Sequence, residues 1–222
     1  MSGLRMADTL AATIWPRRVS PSEGRTTQDA VDLTGAVIRD VVLCLAGAAL
    51  LAISAKVVLP LRPVPMTLQT LAVLCLGTAY GVWLSTLSIV AYLLCGLCGL
   101  PVFAHTPLLA AGPAYFLGPS GGFLVGLIPA AMLMGFAAEN GLDRRFDDSL
   151  PCALLANAII IVSALVWLAF AAKLGTGGHG LGLRAAWSRG IAPLFLSTAI
   201  QATLAAAIFP ALWTLIGRRP AE

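Results

Sequence analysis

MTLQTLAVLCLGTAYGVWLSTLSIVAYLLCGLCGL, residues 66–100, runs for thirty-five positions without an Asp, Glu, Lys or Arg, inside a longer charge-free stretch from Val64 to Ala138. A bilayer core takes about 20 apolar residues per helix. The stretch reads as two helices, Met66–Gly81 and Val82–Leu100, the first of them short. Working outward, further apolar stretches fall at Gly35–Leu59, Gly121–Ala138, Pro151–Lys173 and Gly190–Gly217. Leu108–Leu117 is apolar but too short to cross, contains Pro113 and lies between Pro107 and Pro119. The expectation is an all-α integral membrane protein: six transmembrane helices, with a short re-entrant or interfacial segment between helices 3 and 4 that finds its backbone partners inside the protein.

Composition agrees. Hydrophobic residues make up 59% of the chain and charged residues 11%, against about 25% charge in a soluble domain, and mean hydropathy is +0.90. The domain reading is a polar tail at 1–34, cytoplasmic and loosely ordered, a membrane domain at 35–217 and a cytoplasmic tail at 218–222. The first forty residues show no cleavable signal peptide, because their apolar run around Leu10–Trp15 is short and ends at Pro16. Under the six-helix scheme nine Lys and Arg residues fall on the side of the termini. Five fall on the other, namely Lys56, Arg62, Lys173, Arg184 and Arg189. That excess predicts both termini in the cytoplasm, in a prokaryotic cell (inner) membrane. The connections after the first, third and fifth helices then face outward.

Several functions find no support in the residues. The basic residues are scattered and form no stripe for nucleic acid. No ionisable group sits in the middle of a span to couple an ion. There is no phosphate-cradling G-x-x-x-x-G-K-[ST] and no H-E-x-x-H, and His105 and His179 fall in loops. Five cysteines, including Cys95 and Cys98, lie in or beside apolar segments and read as packing residues rather than metal ligands or disulfides. Neither a cofactor nor a metal is called for, and the chain reads as a non-enzyme. Glu139, Asp143, Asp147 and Asp148, interleaved with Arg144 and Arg145, read as a solvated connection. Uphill uptake by such a chain would need energy from a partner.

The densest polar group entering the apolar region is Pro63-Val-Pro-Met-Thr-Leu-Gln69. Its prolines hold the backbone extended before the second helix. Thr67 and Gln69 then offer a hydroxyl and an amide to a small polar ligand. The competing reading is that Thr67 caps the helix.

This stretch carries a resemblance. Leu59-Pro-Leu-Arg-Pro-Val-Pro-Met-Thr-Leu-Gln-Thr-Leu71, then Tyr92-Leu-Leu-Cys-Gly-Leu-Cys-Gly-Leu-Pro-Val-Phe-Ala104 and Gly118-Pro-Ser-Gly-Gly-Phe123, resemble the signature of the BioY family in content, order and spacing. The resemblance is specific over about 52–126, weaker beyond, and absent from the first thirty-five residues. It implies the substrate-binding S component of an energy-coupling factor (ECF) transporter. Such a six-helix protein holds biotin near its outer face and associates, among membrane lipids, with a transmembrane coupling protein and paired ATPases. It also implies that Ala48 and Ala52, an Ala-x-x-x-Ala pair on the first helix, present a face to the coupling protein. Small residues four apart let helices approach closely in lipid, and internal packing is the competing reading.

Two departures stand out. Where the family has P-F-x-x-G-D-x-x-K at the last helix, this chain reads Pro193-Leu-Phe-Leu-Ser-Thr-Ala-Ile-Gln201, which puts Thr198 and Gln201 in place of the Asp and Lys. Trp83 stands where many relatives have an arginine. Thr198 and Gln201 can serve biotin's neutral ureido ring but are weak substitutes for a charge at its carboxylate; Arg62 or Lys56 is a candidate replacement. Trp83, Tyr92, Phe103 and Tyr115 are candidates for an apolar wall, with Tyr92 inside a matching motif. The substrate-binding residues implied are therefore Thr67, Gln69, Tyr92, Trp83, Thr198, Gln201 and Arg62. Two alternatives stay open: a divergent paralogue with another vitamin-like ligand, and a ligand-free membrane scaffold that regulates a partner.

Overall fold

The structure is a computed structural model that describes residues 9–15, 27–59, 66–104, 112–172 and 180–215. It is all-helical apart from one two-residue β ladder. In order come α1 (Leu10–Ile14), α2 (Thr27–Lys56), β1 (Val58–Leu59), β2 (Met66–Thr67), α3 (Gln69–Leu97), α4 (Pro113–Leu117), α5 (Gly121–Glu139) and α6 (Phe146–Val166). A π-helical turn carries α6 on to Ala171, and α7 (Leu183–Ala185) leads through a second such turn into α8 (Ala192–Leu215). β1 and β2 pair antiparallel, Val58 with Thr67 and Leu59 with Met66, and so draw the entry to α3 back against the end of α2.

Among the described residues, five helical stretches are long and apolar enough to cross a membrane: 33–56, 69–97, 121–139, 146–171 and 197–215. The protein is an integral membrane protein on that ground. The sequence reading of two helices over 66–100 meets one element here, but not a straight one. Gly81 breaks it with φ 78° and ψ −179°. A straight helix would hold Leu76 and Ser88 about 18 Å apart at 1.5 Å per residue. Instead, a Cβ on Gly47 would lie 3.1 Å from the Leu76 side chain and 2.7 Å from Ser88 Oγ. The Gln69 amide also reaches the Tyr92 hydroxyl at 3.2 Å. α3 is therefore a hairpin whose arms, Gln69–Tyr80 and Val82–Leu97, run antiparallel, matching the expected second and third helices. The first arm is short, as the sequence indicates.

Only glycine suits the turn. Its φ lies in the left-handed region, and a Cβ on Gly81 would come 2.6 Å from the Glu139 carboxyl oxygen. Glu139 Oε1 accepts the Val82 N–H at 2.8 Å, filling one of the vacancies at the start of the second arm. The connection of α5 to α6 thus lies at the hairpin's turn, here called the Gly81 end. The start of α3, the end of α2 and the start of α5 lie at the opposite, Gln69 end.

Packing adds detail at two places. Within residues 1–34, read from sequence as a loosely ordered tail, α2 begins at Thr27. α1 also packs on the bundle: Leu10 is buried with Phe209 and Trp213, and the Arg39 guanidinium donates to the Ala11 carbonyl at 3.2 Å. The acidic connection is not wholly solvated either. Asp143 is 2% exposed and accepts a 2.6 Å hydrogen bond from the indole of fully buried Trp213, while the Arg144 guanidinium lies 5.0 Å from that ring's centre.

Candidate ligand site

At the Gln69 end the polar and aromatic residues of four elements converge. Gln69, the first residue of α3, is buried and donates to the hydroxyl of Tyr92 on the other arm. The hairpin at Gly81 brings these two together although 23 positions separate them. Tyr92 in turn donates to the Val102 carbonyl at 3.4 Å. Phe103, wholly buried, meets the Tyr92 ring edge-on at 5.5 Å and stacks on Tyr115 of α4 at 4.8 Å. Its ring rests against Gly96, where any side chain would collide with it.

The backbone beneath the aromatic cluster is held by side chains from three directions. The Val102 carbonyl accepts from Tyr92, the Phe103 carbonyl from the Lys56 ammonium at 2.7 Å, and the Ala104 carbonyl from the Tyr115 hydroxyl at 2.9 Å. Burial pushes the Tyr115 phenol above its ordinary range, which keeps the donating proton in place. Spacing in the sequence gave no sign of this three-point hold, since Lys56 and Phe103 are 47 positions apart.

α8 closes the other side. Gln201 is 3% exposed, and both ends of its amide are engaged: Oε1 accepts the Leu71 N–H at 2.9 Å and Nε2 donates to the Thr67 carbonyl at 2.9 Å. It ties α8 to the entrance of α3. Thr198, one turn earlier, is also buried. Thr67 lies on β2, half-buried; the cap position of α3 is Leu68, with no side-chain cap bond. The capping reading of Thr67 is therefore replaced by one in which its carbonyl is the anchor for Gln201.

Three assigned residues do not join this group. Trp83 is 70% exposed and sits two residues past the Gly81 turn. Nine residues of helix, about 14 Å of rise, separate it from Tyr92, so it cannot line the same wall; an exposed tryptophan near a helix end suits a membrane interface. Ala48 is 8% exposed in the main core, and Ala52 packs against that core. The small face of α2 is the internal one, where Gly47 admits Leu76 and Ser88, so Ala48 is not on the surface to meet a partner. Arg62 lies outside the described residues.

Comparison with known proteins agrees with the architecture. The BioY family model matches residues 24–218. The chain is similar to the probable biotin transporter BioY of Rickettsia prowazekii (strain Madrid E), with 31% identity over 140 residues, 61% of this chain and 68% of that one. It is 41% identical over 95 residues to the biotin transporter BioY of Thermotoga maritima, 41% of this chain and 52% of that one. A third relative, the probable biotin transporter BioY of Pyrococcus horikoshii, shows 29% identity over 160 residues, 72% of this chain and 87% of the relative. These alignments thus span from about half to nearly nine-tenths of the relatives' lengths. The crystal structure of the S-component for biotin from an ECF-type ABC transporter superposes with a TM-score of 0.59 at 21% identity, covering 86% of this chain and 95% of that chain, a shared fold. A helical hairpin that joins a buried amide to a buried tyrosine, in a chain matched over 24–218, is explained by common descent: the chain belongs to the BioY family.

Proposed function

We propose that the protein is the substrate-capture component of a biotin uptake system. It binds biotin at the Gln69 end, which faces outward across a prokaryotic cell (inner) membrane, with both termini in the cytoplasm. The two arms of α3 count as separate crossings in this reading, which makes six. The work of uptake comes from a partner ATPase module joined through a transmembrane coupling protein. The protein itself is no enzyme.

One observation carries the reading: the buried Gln69–Tyr92 pair beside the Phe103–Tyr115 aromatic stack. Biotin's ureido ring needs donors and acceptors together, which an amide and a hydroxyl provide. Its thiophane ring and aliphatic chain need an apolar wall, for which the stack is suited. The names of the relatives support the same ligand. Gln201 supports it differently from the sequence expectation: its amide is engaged with backbone, so it positions Thr67 and α3 beside the Gln69–Tyr92 pair. The engaged, uncharged Gln201 also favours the second reading, a divergent paralogue with another vitamin-like ligand, because position 201 lacks the family's lysine.

The test is thermal unfolding of the purified protein in mild detergent with biotin, desthiobiotin, thiamine and riboflavin. A ligand at a hundredfold excess over Kd adds about 2.7 kcal/mol of stability. A shift with biotin and desthiobiotin alone is expected. A shift with thiamine or riboflavin instead replaces the ligand, and no shift in folded protein favours the scaffold.

A further inference from the structure

Phe103 is a wholly buried side chain on an irregular segment, and the path of the chain explains how it gets there. The second arm of α3 ends in a left-handed turn. Gly99 has φ 92°, its N–H donates to the Gly96 carbonyl at 3.1 Å, and the Leu100 N–H donates to the Cys95 carbonyl at 3.1 Å. This pair of bonds turns the chain back on the helix it has just left. Phe103 therefore returns to the face that carries Tyr92 and, one helical turn further on, Gly96.

At Gly96 the fit leaves no room for a side chain. A Cβ there would overlap the far edge of the Phe103 ring, its ζ and ε carbons. The ring is enclosed on its other sides: Tyr92 meets it edge-on at 5.5 Å, Phe116 does so at 6.0 Å, and Tyr115 stacks on it at 4.8 Å. Its backbone is held as well, because the carbonyls of Val102, Phe103 and Ala104 each accept a side-chain hydrogen bond. Glycine is a poor helix former, so what Gly96 contributes is the space.

Resting on the biotin reading above, we propose that Gly96 is a positioning residue of the ligand site, acting through Phe103. The space it leaves is the seat of the ring, and that seat sets where the ring meets Tyr92 and where Tyr115 of α4 stacks. The apolar wall is thereby held in register with the Gln69–Tyr92 pair. A methyl group at position 96 moves the wall against that pair, and a ligand that needs both loses its fit. The competing role is structural: Gly96 serves packing and the end of the helix, and its loss affects stability alone.

A double-mutant cycle separates the two roles. Wild type, Gly96→Ala, Phe103→Leu and the double variant are purified as full chains in mild detergent, and each is measured for its biotin Kd and its melting temperature without ligand. Leucine lacks the ζ and ε carbons that meet the added methyl. Gly96→Ala is expected to weaken biotin by about tenfold, the scale of an overpacked contact, and Phe103→Leu to weaken it through the lost stack. In the Phe103→Leu background Gly96→Ala should change Kd no further, the non-additivity of two residues in contact. An unchanged Kd in Gly96→Ala, even with a lowered melting temperature, overturns the assignment, as does an equal loss in both backgrounds. If Gly96→Ala alone fails to fold, the double variant should fold and bind like Phe103→Leu; a double variant that also fails to fold overturns the seat. Folded wild-type protein that binds no biotin overturns the capture reading and this one with it, whereas the other adverse results leave that reading standing.

Discussion

The two ends of the bundle are held by opposite chemistry. At the Gly81 end, side-chain carboxylates accept from the protein: Glu139 from the Val82 N–H and Asp143 from the Trp213 indole. At the Gln69 end, neutral side chains and one ammonium donate to backbone carbonyls at 67, 102, 103 and 104. The first arrangement buries negative charge where α1, α5 and α8 meet. The second builds a wall from uncharged groups and leaves the positive charge of Lys56 beside it. On the proposed capture reading this segregation suits an anionic ligand, because a carboxylate near the receiving end would oppose it. The Gly81 end is a structural closure, and the Gln69 end is where chemistry with a small molecule is possible.

The largest effect is expected where a buried charge loses its partner. Trp213→Ala removes a fully buried indole and leaves the Asp143 carboxyl, 2% exposed, without its donor. Loss of the ring alone costs about 3–5 kcal/mol, so the variant should unfold at a much lower temperature or fail to fold in detergent. Trp213→Phe, which keeps an aromatic ring but drops the N–H together with the pyrrole half of the indole, should cost less than Trp213→Ala. Affinity for biotin in the surviving Trp213→Phe protein should be unchanged; a large change in Kd would mean that the two ends are not independent.

Next comes the tie between α8 and α3. Gln201→Ala leaves the Leu71 N–H and the Thr67 carbonyl without their partner, for a loss of about 1–3 kcal/mol. Since Gln201 positions Thr67 and Gln69, biotin affinity should fall as well. The Thr198→Asp, Gln201→Lys double variant sharpens the point, because it restores the residues of the family pattern at the cost of the acceptor for the Leu71 N–H. If it binds biotin more tightly than the wild type, Gln201 is replaceable as a tie and the charged pair is the better receptor.

Much of this was legible in the sequence, and the reasons for the remainder are physical. Charge-free stretches located every long helix because lipid tolerates few charges, and Met66–Gly81 and Val82–Leu100 emerged as two arms because Gly81 lies between apolar runs. Gln69 and Tyr92 could be named from their motifs. Their contact could not, since it depends on a reversal at one glycine. Trp83, Ala48 and Ala52 were assigned from position in a pattern, while the direction a side chain faces is set by rotation about the helix, which a pattern alone does not give. Ala48 and Gly47 being small was visible; that their face turns inward to Leu76 and Ser88 follows only from packing. Asp143 looked like an ordinary loop acid, and only the return of α8, seventy positions later, buries it.

The acid at the Gly81 end gives a pH signature that the Gln69 end lacks. Burial raises the Asp143 carboxyl from its ordinary 3.8, against the opposing hydrogen bond from Trp213 and the charge of Arg144. A carboxyl raised on folding binds its proton more tightly in the folded state, so the stability it contributes is full below 3.8 and is lost as pH rises through the folded value. Asp143→Asn keeps an acceptor for the Trp213 indole and cannot ionise. Melting temperatures of the two proteins should therefore approach each other near pH 4, and the variant should become the more stable one as pH rises toward neutrality. A pH-independent gap would show that Asp143 stays charged in the fold at no cost.

Glu139→Gln probes the same end with the smallest expected change. The amide oxygen can still accept the Val82 N–H now held at 2.8 Å, so the hairpin turn keeps its hydrogen bond. What disappears is a carboxylate at the positive end of the second arm's dipole, about 0.3–1 kcal/mol. Glu139→Ala removes the acceptor too and should cost more, though Gly81 would gain room as the carboxyl withdraws. If Gln and Ala cost the same, the hydrogen bond contributes little and the turn is set by Gly81 and its packing alone. If the Gln variant is as stable as the wild type while Ala is not, the bond holds the turn and the charge is dispensable.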